Sequence, residues 1–218
     1  MDIHYDKKEG RTLLKNVIQK SVYHLKDNLT FYAVVAAAFL AGGVFAAVCA
    51  FSLSELDNKE LMLYLNDFFS NVNQTGSDGF LVFKLSVLMQ LKEFGLLFLL
   101  SVMVIGAPFV VAFTAFKGFC GCFTLLFLFK TYGAKAALFF LVGMLPHCLI
   151  LIPCYAFLFV ACIKFSLSLT KEKFDFRTKL LRFLLLLCLL FAVSVMASLL
   201  QAYIEPIFIK LISGYFLA

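Results

Sequence analysis

Two places in the chain bring together side chains able to do chemistry. His147 and Cys148 are adjacent, flanked by Pro146 and Pro153, and Cys120-Gly121-Cys122 sets two thiols one residue apart. An imidazole can move protons and a thiol can attack carbonyl carbon, but each needs a partner that orients or activates it. Neighbouring residues on a helix point about 100° apart, so Cys148 is a poor partner for His147. A thiol pair binds a soft metal only when further ligands join it, and no second pair lies near Cys120 and Cys122. The other cysteines, Cys49, Cys154, Cys162 and Cys188, also fall in apolar runs and read as small apolar side chains. No HExxH or GxSxG pattern occurs. No catalytic, cofactor-binding or metal-binding residue is therefore assigned, and the chain is expected not to be an enzyme.

The elements that hold these residues are set by hydrophobicity. Of 218 residues 63% are hydrophobic and 15% charged, too little polar surface to clothe a water-soluble globule. A spanning helix needs roughly 20 residues without an ionised side chain. Residues 28–54, 94–116, 136–163 and 183–204 meet that standard, and a fifth run, 118–129, is short. Blocks such as Leu184-Leu185-Leu186-Leu187 do not alternate as the strands of an outer-membrane barrel would. The fold class is all-α: a polytopic helical membrane protein of about five transmembrane segments, with bent or broken helices, in a single membrane domain. The first run follows too long a head to be a cleaved signal peptide and reads as an uncleaved span.

Lysine and arginine set the orientation, because cytoplasmic connections carry the excess. Residues 1–28 hold Lys7, Lys8, Arg11, Lys15, Lys20 and Lys26; residues 164–182 hold Lys164, Lys171, Lys173, Arg177, Lys179 and Arg182. Both segments are expected in the cytoplasm, which requires five crossings with 118–129 as one of them. At about 18 Å as a helix, that element falls short of a hydrocarbon layer roughly 30 Å thick. It either extends by snorkelling Lys117 and Lys130 or re-enters, and re-entry would return the C-terminus to the cytoplasm. The 54–93 loop, rich in Glu and Asp, is expected outside, with two surface helices marked by Leu61, Tyr64, Leu65, Phe68 and Phe69, then Phe80, Lys84, Val87 and Leu91. These either lead into the spans or form a docking surface for an external partner. The net charge of +6 speaks for orientation and contact with membrane lipid, not for nucleic acid.

Small residues at a spacing of four, Ala38, Gly42, Ala46 and Ala50, make a seam where another helix approaches closely, from this chain or from another copy or protein. Ser194, Ser198 and Ala202 offer a weaker stripe in the last span. Pro146 and Pro153 are expected to bend or break the fourth run, and Pro108 the second, which Lys117-Gly118 then ends. His147 is the one histidine in an apolar run; a neutral imidazole bonded to a released carbonyl is the plain reading, an interface or conduit role the functional one.

The order of these landmarks resembles the stage II sporulation protein M family along nearly the whole chain. They are Ala41-Gly42-Gly43-Val44-Phe45; residues 63–69 with Tyr64 and Phe68; Lys117-Gly118-Phe119 with Gly121-Cys122-Phe123-Thr124; Leu145-Pro146-His147 with Ile152-Pro153; and Ala202-Tyr203 before Pro206. The family often carries a glutamate where this chain has Gln201 and a glutamine where it has His147. The resemblance implies a multi-pass protein of the cell membrane, on the mother-cell side of the sporulation septum and engulfing membrane. It further implies a non-enzymatic scaffold for forespore engulfment that positions two peptidoglycan hydrolases, stage II sporulation proteins D and P, with no cofactor. Expected positions are Gly42 and Ala46 for packing, Tyr64 and Phe68 for docking, and Lys117, Gly118, Pro146, His147, Pro153, Tyr203 and Pro206 for architecture. The prolines, His147 and the short third element motivate the alternative, a transporter or channel subunit. Self-association stays open.

Overall fold

The computed structural model describes residues 28–63, 79–103, 105–133, 136, 140, 145–171 and 176–204. Among them every regular element is helical. Five long helices, α1 (Leu29–Ser52), α3 (Gly79–Val102), α4 (Gly106–Tyr132), α5 (Leu145–Lys171) and α6 (Phe176–Tyr203), surround one core, and a short α2 occupies 55–63. Each long helix has the length and apolarity to cross a bilayer. The protein is a multi-pass membrane protein with five candidate spans.

Four of the long helices bury one stripe and leave their other faces apolar and exposed, as lipid-facing helices do, while α5 buries successive residues such as Leu158, Phe159 and Val160 and packs against all four. On α1 the stripe is Val35, Gly42, Ala46 and Ala50; on α3 it is Gln90, Phe94, Leu97 and Ser101; on α6 it includes Leu190, Ser194, Ala197, Ser198 and Ala202. Serine and threonine are tolerated in these stripes because their hydroxyls donate to the preceding turn. Ser101 Oγ bonds the Leu97 carbonyl at 2.6 Å and Thr114 Oγ1 the Val110 carbonyl at 2.8 Å.

Contacts fix the helix directions. Tyr155 on α5 meets Glu93 on α3, and Ser166 on α5 meets Met103 just past the end of α3, so these two helices run parallel. Lys130 on α4 reaches the Ala50 carbonyl on α1, while Gly118 on α4 meets Phe39, so α1 and α4 are parallel as well. Antiparallel pairs join the two sets: Phe113 with Phe159, Phe94 with Phe191, and Phe165 with Phe183. The five helices therefore alternate in direction. Asn28, the α3–α4 turn, the end of α5 and the start of α6 share one end of the bundle, and Ser52, Gly79, Gly133 and Tyr203 share the other.

The second and third spans differ from their sequence boundaries. The break falls at 103–105, not at Lys117-Gly118, and α4 runs unbroken for 27 residues, about 40 Å. The short 118–129 element is thus the second half of a full-length helix, neither snorkelled nor re-entrant. The segment around Phe80, Lys84, Val87 and Leu91 is the first half of α3 and not a surface helix of the 54–93 loop. Lys164 likewise lies within α5. The reason is electrostatic: Glu93 and Lys117 mark boundaries only while each is counted alone.

Pro108 sits in the first turn of α4, where a missing N–H leaves no intrahelical acceptor unpaired, and so does not bend a helix interior. The α3–α4 turn before it is held by Ser166. Its hydroxyl donates to the Met103 carbonyl and accepts from the Ala107 N–H, both at 3.0 Å. Gly106 is required there, because a Cβ would overlap the Leu100 carbonyl oxygen.

Candidate functional site

Three polar side chains from three spans, two of them charged, converge on one place. Glu93 lies in the middle of α3, Lys117 in α4 and Tyr155 in α5. Lys117 Nζ pairs with Glu93 Oε1, and the Tyr155 hydroxyl donates to Glu93 Oε2 at 2.5 Å. The Lys117 ammonium also lies 5.9 Å from the centre of the Phe113 ring and 5.7 Å from that of Tyr155. Both carboxylate oxygens are therefore engaged, and the cation has a carboxylate on one side and aromatic faces on the others. The side chains of Lys117 and Glu93 keep 31% and 26% of their surface exposed, so the cluster lies at the flank of the core.

Chemically this is a neutralised pair with a phenol donor, and it ties three helices together. A lone charge in hydrocarbon is expensive; two opposite ones in contact, with a hydroxyl on the remaining lone pairs, remove most of that penalty. Among the described residues no group of three His, Cys, Asp or Glu side chains is placed to hold a metal ion.

The small-residue seam has an internal partner. Gly42 faces α4 so closely that a Cβ there would overlap the Ala115 carbonyl oxygen, and a Cβ on Gly118 would overlap that of Phe39. Ala46 is fully buried, and Ala38 is only partly so. Gly118 thus serves the contact expected of Gly42 rather than ending a helix. At the far end of this parallel pair, Lys130 Nζ donates to the Ala50 carbonyl at 3.1 Å, satisfying one of the orphan acceptors of α1.

The remaining expected positions scatter. His147 is buried near the start of α5, with Nε2 3.7 Å from Cys148 Sγ, so the two neighbours do touch although helical geometry disfavours it. It stands about 12 Å along the axis from Tyr155 and takes no part in the charge cluster. Pro146 occupies the first turn of α5, not an interior position; Pro153 is the proline inside the helix, and α5 continues through it. Tyr203 is half exposed, its ring lying against Gly79 at the start of α3. Tyr64, Phe68 and Pro206 lie outside the described residues.

Glu93 and Tyr155 are not among the residues that stand out in the sequence. The available signal is a pair of opposite charges, Glu93 and Lys117, at the two ends of the apolar run 94–116, with Lys92 directly before Glu93. Taking them as mutual partners merges the runs correctly; Tyr155 carries no such signal, since tyrosine is unremarkable in a span.

A family model described as stage II sporulation protein M matches residues 35–206, from the first third of α1 to beyond the end of α6. No curated relative and no solved structure matches the chain. With all five candidate spans inside the matched region, apart from the first turns of α1, this sporulation-related membrane chain belongs to the stage II sporulation protein M family.

Proposed function

We propose that the chain is a non-enzymatic scaffold that recruits and positions peptidoglycan hydrolases at the septal membrane during forespore engulfment. The observation that carries this reading is the family match across all five spans. The partners are stage II sporulation proteins D and P, which cut peptidoglycan, and the chain itself has no catalytic role. A scaffold needs a rigid frame, and the Glu93–Lys117–Tyr155 cluster, the close α1–α4 seam and the Ser166 clamp each join different helices.

The end of the bundle holding Asn28 faces the mother-cell cytoplasm, because Lys171, Arg177, Lys179 and Arg182 fall at or near that end of α5 and α6 and the sequence before Asn28 is basic as well. The opposite end, with Ser52, Gly79 and Gly133, faces the septal wall on which hydrolases act. Purification of the tagged full chain from membranes at the onset of engulfment, with mass spectrometry of co-purifying proteins, tests this. Wall hydrolases are expected in stoichiometric yield; an ATP-binding transport subunit in their place overturns the reading.

The second reading, a transporter or channel subunit, draws on the Glu93–Lys117 pair at mid-depth, since ionisable groups there often line substrate paths. It requires a flux or current in reconstituted vesicles. A tight bilayer under ion and solute gradients sinks it.

A further inference from the structure

One charge at the level of the cluster is not used by it. Lys92 precedes Glu93 on α3, about 20 Å from the first residue of that helix and about 15 Å from the last. Its side chain is exposed, and among the described residues it makes no hydrogen bond or ion pair. Lys117 balances Glu93, so this layer of the bundle carries one uncompensated positive charge among the described residues. An extended lysine side chain reaches only about 6 Å, too short to carry its ammonium from that depth to either head-group region.

The surroundings of Lys92 have helix-packing character. The buried stripe of α3 is Gln90, Phe94, Leu97 and Ser101, and Lys92 points to the opposite side. Along that outward face Leu81, Leu85, Leu88, Lys92, Gly95 and Leu99 recur at spacings of four and three, the seam of a helix that packs against another. All are exposed. Gly42, Gly106 and Gly118 each admit a close backbone approach within the chain, but a Cβ on Gly95 would meet nothing within 4 Å. Gly95 is thus an open notch one turn from an unpaired lysine.

We propose that this face of α3 docks one membrane-spanning helix of another protein, which places an aspartate or glutamate opposite Lys92. Charge complementarity selects that occupant. A second copy of the chain meeting this face symmetrically would set Lys92 against Lys92, and a lipid phosphate stays too shallow to reach it. A polar pair inside an otherwise apolar seam fixes register and partner choice more than it adds affinity. This deepens the scaffold reading, on which the identity of the natural partner rests, by saying which surface and which chemistry recruit it.

The test uses the full chain reconstituted in vesicles of phosphatidylethanolamine and phosphatidylglycerol. The probe is a fluorescent single-span Leu-Ala helix with one central glutamate, compared with siblings carrying glutamine there or the glutamate two turns nearer one end. Energy transfer reads association. The central-glutamate helix is expected to bind about tenfold tighter than both siblings. That preference should vanish in Lys92→Gln and persist in Lys92→Arg, while Gly95→Leu should weaken every helix. Equal binding of the glutamate and glutamine helices overturns the proposal, as does a preference that survives Lys92→Gln. Because the probe contains no hydrolase, its result stands apart from the co-purification above. A preference without co-purifying hydrolases keeps the surface and removes those partners; hydrolases retained equally by wild type and Lys92→Gln, with no probe preference, do the reverse.

Discussion

Glu93 and Lys117 illustrate how the meaning of a residue depends on what it touches. Removing one partner strands the other in an apolar layer, whereas removing both leaves nothing to neutralise. Glu93→Gln and Lys117→Met are each expected to destabilise the bundle, and the double variant to recover about 1–3 kcal/mol of the summed loss. Thermal unfolding of the purified protein in detergent measures this, and strict additivity of the two single losses would show that the pair does not interact. Gly42 makes a sharper comparison. Its missing Cβ is where the Ala115 carbonyl oxygen stands, while Gly95 has open space. Gly42→Ala should therefore cost about 1–3 kcal/mol and Gly95→Ala almost nothing in the isolated chain; the same detergent melts compare them. Spacing alone points to Gly42 and Ala46, because small residues every four positions have one geometric use. It does not point to Glu93 or Tyr155, whose role exists only across three helices.

At the scale of the element, the turn between α3 and α4 rests on a serine from a third helix. Ser166 supplies both a donor to the Met103 carbonyl and an acceptor for the Ala107 N–H. Ser166→Ala leaves the Ala107 N–H without its acceptor and the Met103 carbonyl with the Gly106 N–H alone, in a half-buried place, and is expected to cost about 1–3 kcal/mol. Hydrogen exchange followed by mass spectrometry should then show faster exchange at residues 105–107 than in the wild type, with the α1–α4 seam unchanged. Protection equal to wild type would mean that Gly106 and the flanking helices hold the turn by themselves. Gly106-Ala107-Pro108 is visible in the sequence as an irregularity, but there it reads as a bend inside one span. Whether Pro108 kinks a helix or starts one depends on where the preceding helix ends, and that end is set by the Ser166 contact.

For the molecule as a whole, alternation of five helices sets which segments share a side. Alkaline phosphatase fused after Leu53 or after Gly133 is expected to be active, and fused after Met103 or Lys171 to be inactive, as the positive charge near Lys171, Arg177 and Arg182 requires. Activity after Met103 would contradict both the turn at 103–105 and the orientation. The same alternation explains why α1 and α4, separated by α3 in sequence, can pack in parallel with backbone in contact: an even number of crossings separates their starts.

The solvent, the helical class and the positive segments are legible in the amino-acid sequence, because each depends on sums over many residues; the crossings at 79–102 and 106–132 are not, since the apolar runs 94–116 and 118–129 divide elsewhere. That Gly42 and Ala46 face a helix is legible there too. Which runs are separate follows from contacts between helices. A charge that finds an opposite charge on a neighbouring helix need not end a span, and neither Glu93 nor Lys117 carries its partner's identity in local sequence. The partner of the small-residue seam, the clamp on the α3–α4 turn and the outward direction of Lys92 follow from the same cause: each is a contact, or the lack of one, between residues far apart in the chain.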